Sequence, residues 1–219
     1  MKQTATGLVY IFTGDGKGKT SAALGVAMRA VGQGKRVAMV QWYKERRWKI
    51  GEHNLPLMLK QTNGQTDKRT KRTAGSFDIY PMGQGFYKLP TDHATSIDHK
   101  MAAREAMELA GELLQETKVN RLQGHKAKNN NKSISSLSAC QPVSLFLLIL
   151  DEALNAVNDK LIDMIDLINL ISKRGQTHII LTGRNAPKEL IDLADLVTEM
   201  KNVKHPFDKG RKATLGLDF

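Results

Sequence analysis

A glycine-rich turn between an apolar strand and a helix constrains the fold of this chain more than any other feature. Leu8–Phe12 is a short apolar, β-rich run that is typical of a buried strand. The turn Gly14–Gly18 follows it, and Thr20–Gln33 then has apolar residues at helical spacing before Gly34. A second apolar run, Val37–Gln41, comes next. The order strand, loop, helix, strand predicts a βαβ unit with two parallel strands.

The rest of the chain continues this alternation. Further strands are predicted at 77–81, 143–150, 177–182 and 196–200, and helices at 97–117, 159–173 and 187–193. The stretch 43–76 is predicted to be irregular, with a basic loop over 44–76, and 119–142 is predicted to be a disordered inserted loop. We therefore predict one α/β domain over residues 1–219, with a mostly parallel sheet covered by helices on both faces.

The turn itself carries a phosphate-binding pattern. Residues 13–20 read TGDGKGKT, and the common phosphate loop is G-x-x-x-x-G-K-[ST]. Gly18, Lys19 and Thr20 match, while Thr13 stands where the first glycine is usual. Alternating glycines let consecutive N–H groups point inward, the lysine supplies a charge for a phosphate oxygen, and the threonine hydroxyl can ligate magnesium. The pattern predicts a RecA-like phosphate-loop nucleotide-binding fold; the alternative is an ordinary glycine turn before a helix.

Two acidic residues follow the predicted strand 143–150. Nucleotide-binding proteins place a magnesium ligand at the end of a buried strand, and we expect this strand to lie beside the one that feeds the phosphate loop. A buried anion there is costly without a cation. Asp151 and Glu152 are therefore both candidate magnesium ligands, and the sequence leaves open which one binds the metal. The alternative is a strand-end turn whose acids face water.

The net charge of +11 comes from two segments. Residues 44–73 contain nine Lys or Arg and three Asp or Glu, and residues 118–141 contain five basic residues and no acidic one. We interpret the second segment as a solvated polar loop. The first either attracts an anionic ligand or is a solvated surface, since Trp42, Tyr43 and Trp48 interleave with its charges. Because the surplus lies outside the predicted nucleotide core, a nucleic-acid partner is not favoured.

Cysteine content and hydropathy exclude several classes of protein. The single cysteine, Cys140, excludes an internal disulfide and a multi-cysteine zinc site. No apolar run approaches the roughly 18 residues of a membrane span, and the N-terminus lacks the apolar stretch of a secretory signal. We expect a cytoplasmic protein with no membrane partner.

Several segments together carry a family resemblance. They are GDGKGKT at Gly14–Thr20, VQWYK at 40–44, GEHNL at 51–55, MGQGF at 82–86, LDE at 150–152, LTGR at 181–184, and the tail DLADLVTEMKNVKHPFDKGRKATLGLDF. In these segments, and in their order, the chain resembles the ATP:corrinoid adenosyltransferases of the phosphate-loop type. The tail is the most specific piece, because general nucleotide-binding physics does not require it. The resemblance covers most of the chain except 60–75 and 119–142.

The resemblance implies a reaction, its substrates and a set of site residues. The Co(I) of a reduced corrinoid, cob(I)yrinic acid a,c-diamide or cob(I)alamin, attacks the 5′ carbon of ATP, and triphosphate leaves. Magnesium, a homodimer and a reduced flavoprotein as electron donor are also implied. Lys19 and Lys17 would stabilise the leaving triphosphate. The other implied site residues are Gly14, Asp15, Gly16, Gly18, Arg184 and Phe86 for binding, and Thr20, Asp151 and Glu152 for the metal.

Some residues depart from the family or receive no role. Family members present an aromatic pair after the MG-x-GF turn; Phe86 keeps the first, but Lys88 stands where tryptophan is frequent. Either Tyr87 or Trp48 takes over, or corrinoid activation is weaker. His205 and, in the same tail, Asp208 match the family, but we assign the tail to packing and dimer contact.

Two other functions compete with the adenosyltransferase. One is a nucleic-acid-linked phosphate-loop ATPase, and the other is a nucleotide-binding relic without corrinoid chemistry. The products distinguish the ATPase from the transferase, since an ATPase releases ADP and phosphate whereas the transferase releases intact triphosphate. A relic would bind ATP but form no alkylated corrinoid.

Overall fold

A computed structural model describes residues 6–63, 75–127 and 144–217 of the chain. The described strands are β1 (Val9–Thr13), β2 (Arg36–Gln41), β3 (Ser76–Pro81), β4 (Leu145–Asp151), β5 (His178–Thr182) and β6 (Leu196–Glu199). The described helices are α1 (Lys19–Gly32), α2 (Leu55–Asn63), α3 (Ser96–Ala127), α4 (Ala153–Asn158), α5 (Met164–Ser172) and α6 (Lys188–Leu193), with 3₁₀ turns at Gly51–Asn54 and Pro206–Lys209.

The strands form one parallel sheet in the order β3-β2-β4-β5-β1-β6. This confirms the predicted α/β fold with a mostly parallel sheet. The prediction that the acidic strand lies beside β1 is wrong, because β5 pairs with both β1 and β4 and separates them. The run Ile179–Thr182 is buried on both alternate faces, as an interior strand requires.

Helices cover both faces of the sheet. In β2, Val37 and Met39 face the cluster that contains α1, whereas Ala38 and Val40 face the cluster that contains α3 and α5. Alternate residues of one strand are therefore buried against different helices, and this explains why the central strands are continuously apolar. No helix in the described ranges is both long and apolar enough to cross a bilayer.

Several predicted boundaries need correction. The segment 43–76, predicted as irregular, contains the 3₁₀ turn Gly51–Asn54 and α2. Leu55 and Leu59 of α2, spaced by four residues, pack on the sheet. Leu57 and Met58 between them are exposed, so the short apolar run does not show a single helical face.

Residues 119–127 of the predicted loop 119–142 belong instead to α3, which continues to Ala127. The remainder of that loop, including Cys140, lies outside the described residues. The predicted helix 159–173 begins only at Met164, where the Asp163 side chain accepts a hydrogen bond from the Ile165 amide and caps the first turn.

Candidate functional site

The glycine-rich turn between β1 and α1 forms a curled backbone cradle. Gly14 and Gly18 have φ values of 105° and 113°, in the left-handed region that favours glycine. The Gly16 amide donates a hydrogen bond to the Met200 carbonyl at 2.7 Å. A Cβ at Gly14 or Gly16 would collide with the backbone of residues 200 and 201. The turn therefore needs glycine to lie this close to the end of β6.

Thr13, which departs from the common phosphate-loop pattern, has a structural contact of its own. Its side chain is largely buried, and its Oγ1 accepts a hydrogen bond from the Ala186 amide at 3.2 Å. This bond ties the start of the cradle to the segment after β5 that carries Arg184. A glycine at position 13 would lack that hydroxyl, so the departure adds a contact at the carboxyl edge of the sheet.

Lys19 extends back from the first turn of α1 into the cradle. Its Nζ donates hydrogen bonds to the carbonyl oxygens of Gly14, at 2.9 Å, and Gly16, at 2.8 Å. Burial lowers the pKa of Lys19, and the nearby Glu152 carboxylate partly offsets this effect. The ammonium group is therefore held inside the cradle, where it can pair with a bound anion.

Asp151 is the centre of a buried polar network at the end of β4. Its Oδ1 accepts hydrogen bonds from the hydroxyls of Thr20, at 2.9 Å, and Thr182, at 2.7 Å. Its Oδ2 accepts one from the Gln41 amide at 3.1 Å and lies 3.4 Å from Lys44 Nζ. A fully buried carboxylate is costly when unpaired, and these four groups compensate for its desolvation.

Glu152, the next residue, has a different environment. Its φ of 63° is left-handed, and its amide donates to the Thr182 hydroxyl at 2.9 Å. Its Oε2 is buried and has no hydrogen-bond partner among the described residues. Burial and the neighbouring Asp151 carboxylate raise the pKa of Glu152. An unpaired carboxylate oxygen of this kind can accept a hydrogen bond or bind a cation.

A cavity of about 740 Å³ opens above the cradle. Most of the site residues predicted from sequence line it, namely Asp15, Gly16, Lys17, Gly18, Lys19, Thr20, Glu152 and Arg184. Gly14 and Asp151 lie outside its lining and are linked to it through their hydrogen bonds with Lys19 and Thr20. The structure therefore brings nearly the whole predicted nucleotide site together at the carboxyl edge of the sheet.

Several further lining residues were not predicted as site residues. Lys44, Glu52 and Leu55 line the cavity from the loop after β2. The tail contributes Asn202, His205, Phe207, Asp208, Gly216 and Leu217. The tail was predicted to serve packing and dimer contact, so its position at the cavity adds a contact with the nucleotide site that the sequence did not suggest. The only signals for these residues were the segments VQWYK and GEHNL and the tail DLADLVTEMKNVKHPFDKGRKATLGLDF.

The aromatic residues form a separate group. Phe86 does not line the cavity around the cradle; its side chain is half exposed and packs against Trp48 with ring centroids 5.1 Å apart. Tyr87 packs instead on His99, at 5.0 Å, and Lys88 Nζ lies 4.7 Å from the Tyr87 ring centroid. Of the two residues considered as replacements for the missing tryptophan at position 88, Trp48 is the one that contacts Phe86.

The protein side chains alone do not provide a complete metal site. Within residues 6–63, 75–127 and 144–217, no cluster of three or more His, Cys, Asp or Glu side chains is arranged to hold a metal ion. A magnesium ion here needs oxygen ligands from a bound phosphate as well, which is how magnesium is usually bound beside nucleotides.

Comparisons with known proteins agree on one family. Residues 5–219 match the family model described as ATP:corrinoid adenosyltransferase BtuR/CobO/CobP. A curated corrinoid adenosyltransferase from Salmonella typhimurium strain LT2 is 31% identical over 225 residues, covering 99% of this chain and 88% of its own length. One from Escherichia coli strain K12 is 29% identical over 222 residues, with the same coverage.

A solved structure, EssC (ATPases 2 and 3) from Geobacillus thermodenitrificans, aligns with a TM-score of 0.42 and 13% identity. The alignment covers 97% of this chain and 36% of that one. At that level of similarity nothing about function follows.

Proposed function

The chain belongs to the ATP:corrinoid adenosyltransferase BtuR/CobO/CobP family, and we propose that the cavity above the glycine cradle is its catalytic site. The protein transfers the 5′-deoxyadenosyl group of ATP to the Co(I) of a corrinoid and releases triphosphate. One observation carries the assignment of the site: Lys19, Thr20 and Glu152 line a single cavity at the carboxyl edge of a parallel sheet.

The cradle residues bind the phosphate chain of ATP. The N-terminus of α1 favours an anion, and Lys19 adds a positive charge at the cradle itself. Lys17 and Arg184 line the same cavity and supply further positive charge. As the triphosphate leaves, its negative charge increases, and these fixed donors stabilise that charge without needing to reorganise.

Magnesium fits the donor set on one side of this cradle. The Thr20 hydroxyl and the unpaired Glu152 Oε2 are the groups that would hold it, together with phosphate oxygens. Asp151 is already hydrogen-bonded on both oxygens, so its role is to orient Thr20. When bound, magnesium would neutralise charge on the triphosphate.

The chemistry does not require a general base. Co(I) is itself a strong nucleophile, so the protein needs to hold the ribose 5′ carbon in line with the cobalt and to keep water out. The lining of the cavity by the tail residues His205 and Phe207 supports such an enclosure on one side.

The aromatic pair Trp48–Phe86 serves as the apolar wall for the corrinoid. Both residues lie on loops that follow the carboxyl ends of β2 and β3, the same edge of the sheet as the cradle. Lys88 does not provide such a surface, because its ammonium lies over the Tyr87 ring. Trp48 therefore takes the place of the tryptophan that family members often have two residues after Phe86.

The remaining assignments are proposals that family membership supports. The acceptor is cob(I)yrinic acid a,c-diamide or cob(I)alamin, a reduced flavoprotein supplies the electron that makes Co(I), and the active form is a homodimer. A cytoplasmic location fits the use of ATP.

The ATPase alternative is not favoured by the family match. An anaerobic assay tests the assignment of the site directly. Chemically reduced cob(I)alamin and Mg·ATP should give an alkylated corrinoid, followed by its absorbance, with the wild-type protein. Lys19→Ala should lower turnover by about 100- to 1000-fold, because a fixed donor to the developing charge is lost.

The matched control is Lys188→Ala. Lys188 is an exposed lysine of α6 that pairs with Asp192 at 2.6 Å, away from the cavity lining. Its variant should keep wild-type turnover, and both variants should keep the wild-type circular dichroism spectrum. Near-normal turnover of Lys19→Ala would show that the cradle is not part of the catalytic site.

A further inference from the structure

An ion pair closes the base of the loop that carries Trp48. Lys44 follows β2, and Glu52 lies in the 3₁₀ turn Gly51–Asn54. Lys44 Nζ donates to Glu52 Oε1 at 2.7 Å and lies 3.4 Å from Asp151 Oδ2. Both side chains are largely buried, at 18% and 12% exposure, so solvent screens this pair less than a surface salt bridge. Residues 44–52 therefore form a loop whose two ends are joined by this ion pair, and Lys44 connects that pair to Asp151.

A second connection runs from the same turn to the same carboxylate. Gln41 Nε2 donates to Asp151 Oδ2 at 3.1 Å, which leaves Gln41 Oε1 to accept from His53 Nε2 at 3.0 Å. An ionised carboxylate only accepts hydrogen bonds, so it fixes the orientation of the Gln41 amide, and that orientation makes His53 Nε2 the donor. The turn is thus linked to Asp151 through two separate side-chain paths.

The two paths join parts of the site that bind different substrates. Asp151 Oδ1 holds the Thr20 hydroxyl on the phosphate side. The loop closed by Lys44 and Glu52 carries Trp48, whose ring packs on Phe86. Any ligand that competes for the Thr20 hydroxyl changes the hydrogen bonding of Asp151, and this carboxylate contacts Lys44 directly.

We propose that Lys44 and Glu52 are positioning residues that couple nucleotide binding in the cradle to corrinoid binding at the Trp48–Phe86 wall. The inference rests on the proposed function of both surfaces. It assigns a role to the segments VQWYK and GEHNL, which the binding of phosphate or metal does not explain. The mechanism is a shift in the position of the loop that carries Trp48 when the hydrogen bonding of Asp151 changes.

The coupling is measurable at equilibrium without turnover. Cob(II)alamin lacks the nucleophilic Co(I), so its dissociation constant can be measured by equilibrium dialysis with and without saturating Mg·ATP. In the wild-type protein we expect Mg·ATP to tighten cob(II)alamin binding by at least about 5-fold, within the usual range of allosteric coupling. By linkage, cob(II)alamin should tighten ATP binding by the same factor.

Two variants test the ion pair. Lys44→Met and Glu52→Gln should each reduce the coupling factor to less than about 2-fold. Because both residues line the cavity, the factor is taken for each variant as the ratio of its own dissociation constants for cob(II)alamin without and with ATP. Glu52→Gln leaves Lys44 paired with Asp151, so it decides the question if Lys44→Met does not fold. Lys49→Met is the matched control, since Lys49 is an exposed lysine of the same loop with no ion pair among the described residues, and it should retain the coupling.

The possible outcomes separate this inference from the proposed function. If the wild-type protein binds cob(II)alamin equally well with and without ATP, or if Glu52→Gln keeps full coupling, the inference is wrong and the proposed site stands. If the wild-type protein does not bind cob(II)alamin under either condition, the corrinoid wall itself is misassigned, and the inference fails with it.

Discussion

At the scale of single residues, the two adjacent acids at the end of β4 have different roles. Asp151 is fully buried, and its carboxyl group contacts four polar side chains, those of Thr20, Thr182, Gln41 and Lys44. These contacts compensate for its burial. Glu152 has a raised pKa and an unpaired oxygen that lies buried at the cavity. Asp151 thus stabilises the site, whereas Glu152 lowers the stability of the free protein, and a bound ligand can offset that loss.

Replacing Glu152 tests this division. In metal-free protein at neutral pH, Glu152→Gln should raise the free energy of unfolding by about 1 kcal/mol, or the Tm by roughly 2–4 °C, because a poorly solvated charge is removed. The same variant should lose magnesium-dependent turnover. Thermal unfolding in the presence of a chelator and the anaerobic assay measure the two effects.

The pH dependence of this stability difference has a definite sign. Because the folded-state pKa of Glu152 is raised, the folded protein binds this proton more tightly than the unfolded chain does, and the ionised carboxylate disfavours folding. The advantage of Glu152→Gln should therefore shrink as the pH falls through the Glu152 pKa, where the wild-type residue becomes neutral. A lower Tm for the variant at neutral pH would show that the carboxylate is well paired.

At the scale of elements, the sequence predicted the strands and the cradle because their signals are local. The interior strand β4 is a continuous apolar run, and the cradle combines glycines with GKT at the start of a helix. The short helix α2 was missed because the two leucines that pack on the sheet are separated by exposed apolar residues, so its run of sequence shows no amphipathic pattern. The partners of Asp151 and the contact of Trp48 with Phe86 were not predictable, since they join residues far apart in the chain.

The cradle glycines should be far less replaceable than a glycine in the helix that follows. Gly14→Ala places a Cβ against the Met200 carbonyl at a φ of 105°, so we expect a loss of at least about 1 kcal/mol and of ATP binding. Gly25→Ala in α1 meets nothing within 4 Å and should stabilise the protein by about 0.5–1 kcal/mol. Urea unfolding and ATP titration measure both variants; equal effects would contradict the assigned role of the cradle.

At the scale of the whole molecule, the sheet places the two proposed binding surfaces at one edge. The cradle follows β1 and the aromatic wall lies on the loops that follow β2 and β3, while β4 supplies the carboxylate that links them. The tail lines the cavity from the far side of the cradle, after β6. Since parallel strands bring their carboxyl ends to the same edge, the topology explains how distant segments form one site.

We propose that the cradle holds the phosphate chain as a leaving group rather than as a hydrolysed substrate. The most direct test is a single turnover under anaerobic conditions, with ATP limiting and cob(I)alamin in excess. Phosphorus NMR and the corrinoid absorbance then measure the products in the same sample. We predict one triphosphate for each adenosylated corrinoid, with no ADP. Release of ADP and phosphate, or bound ATP that never alkylates the corrinoid, would contradict the claim.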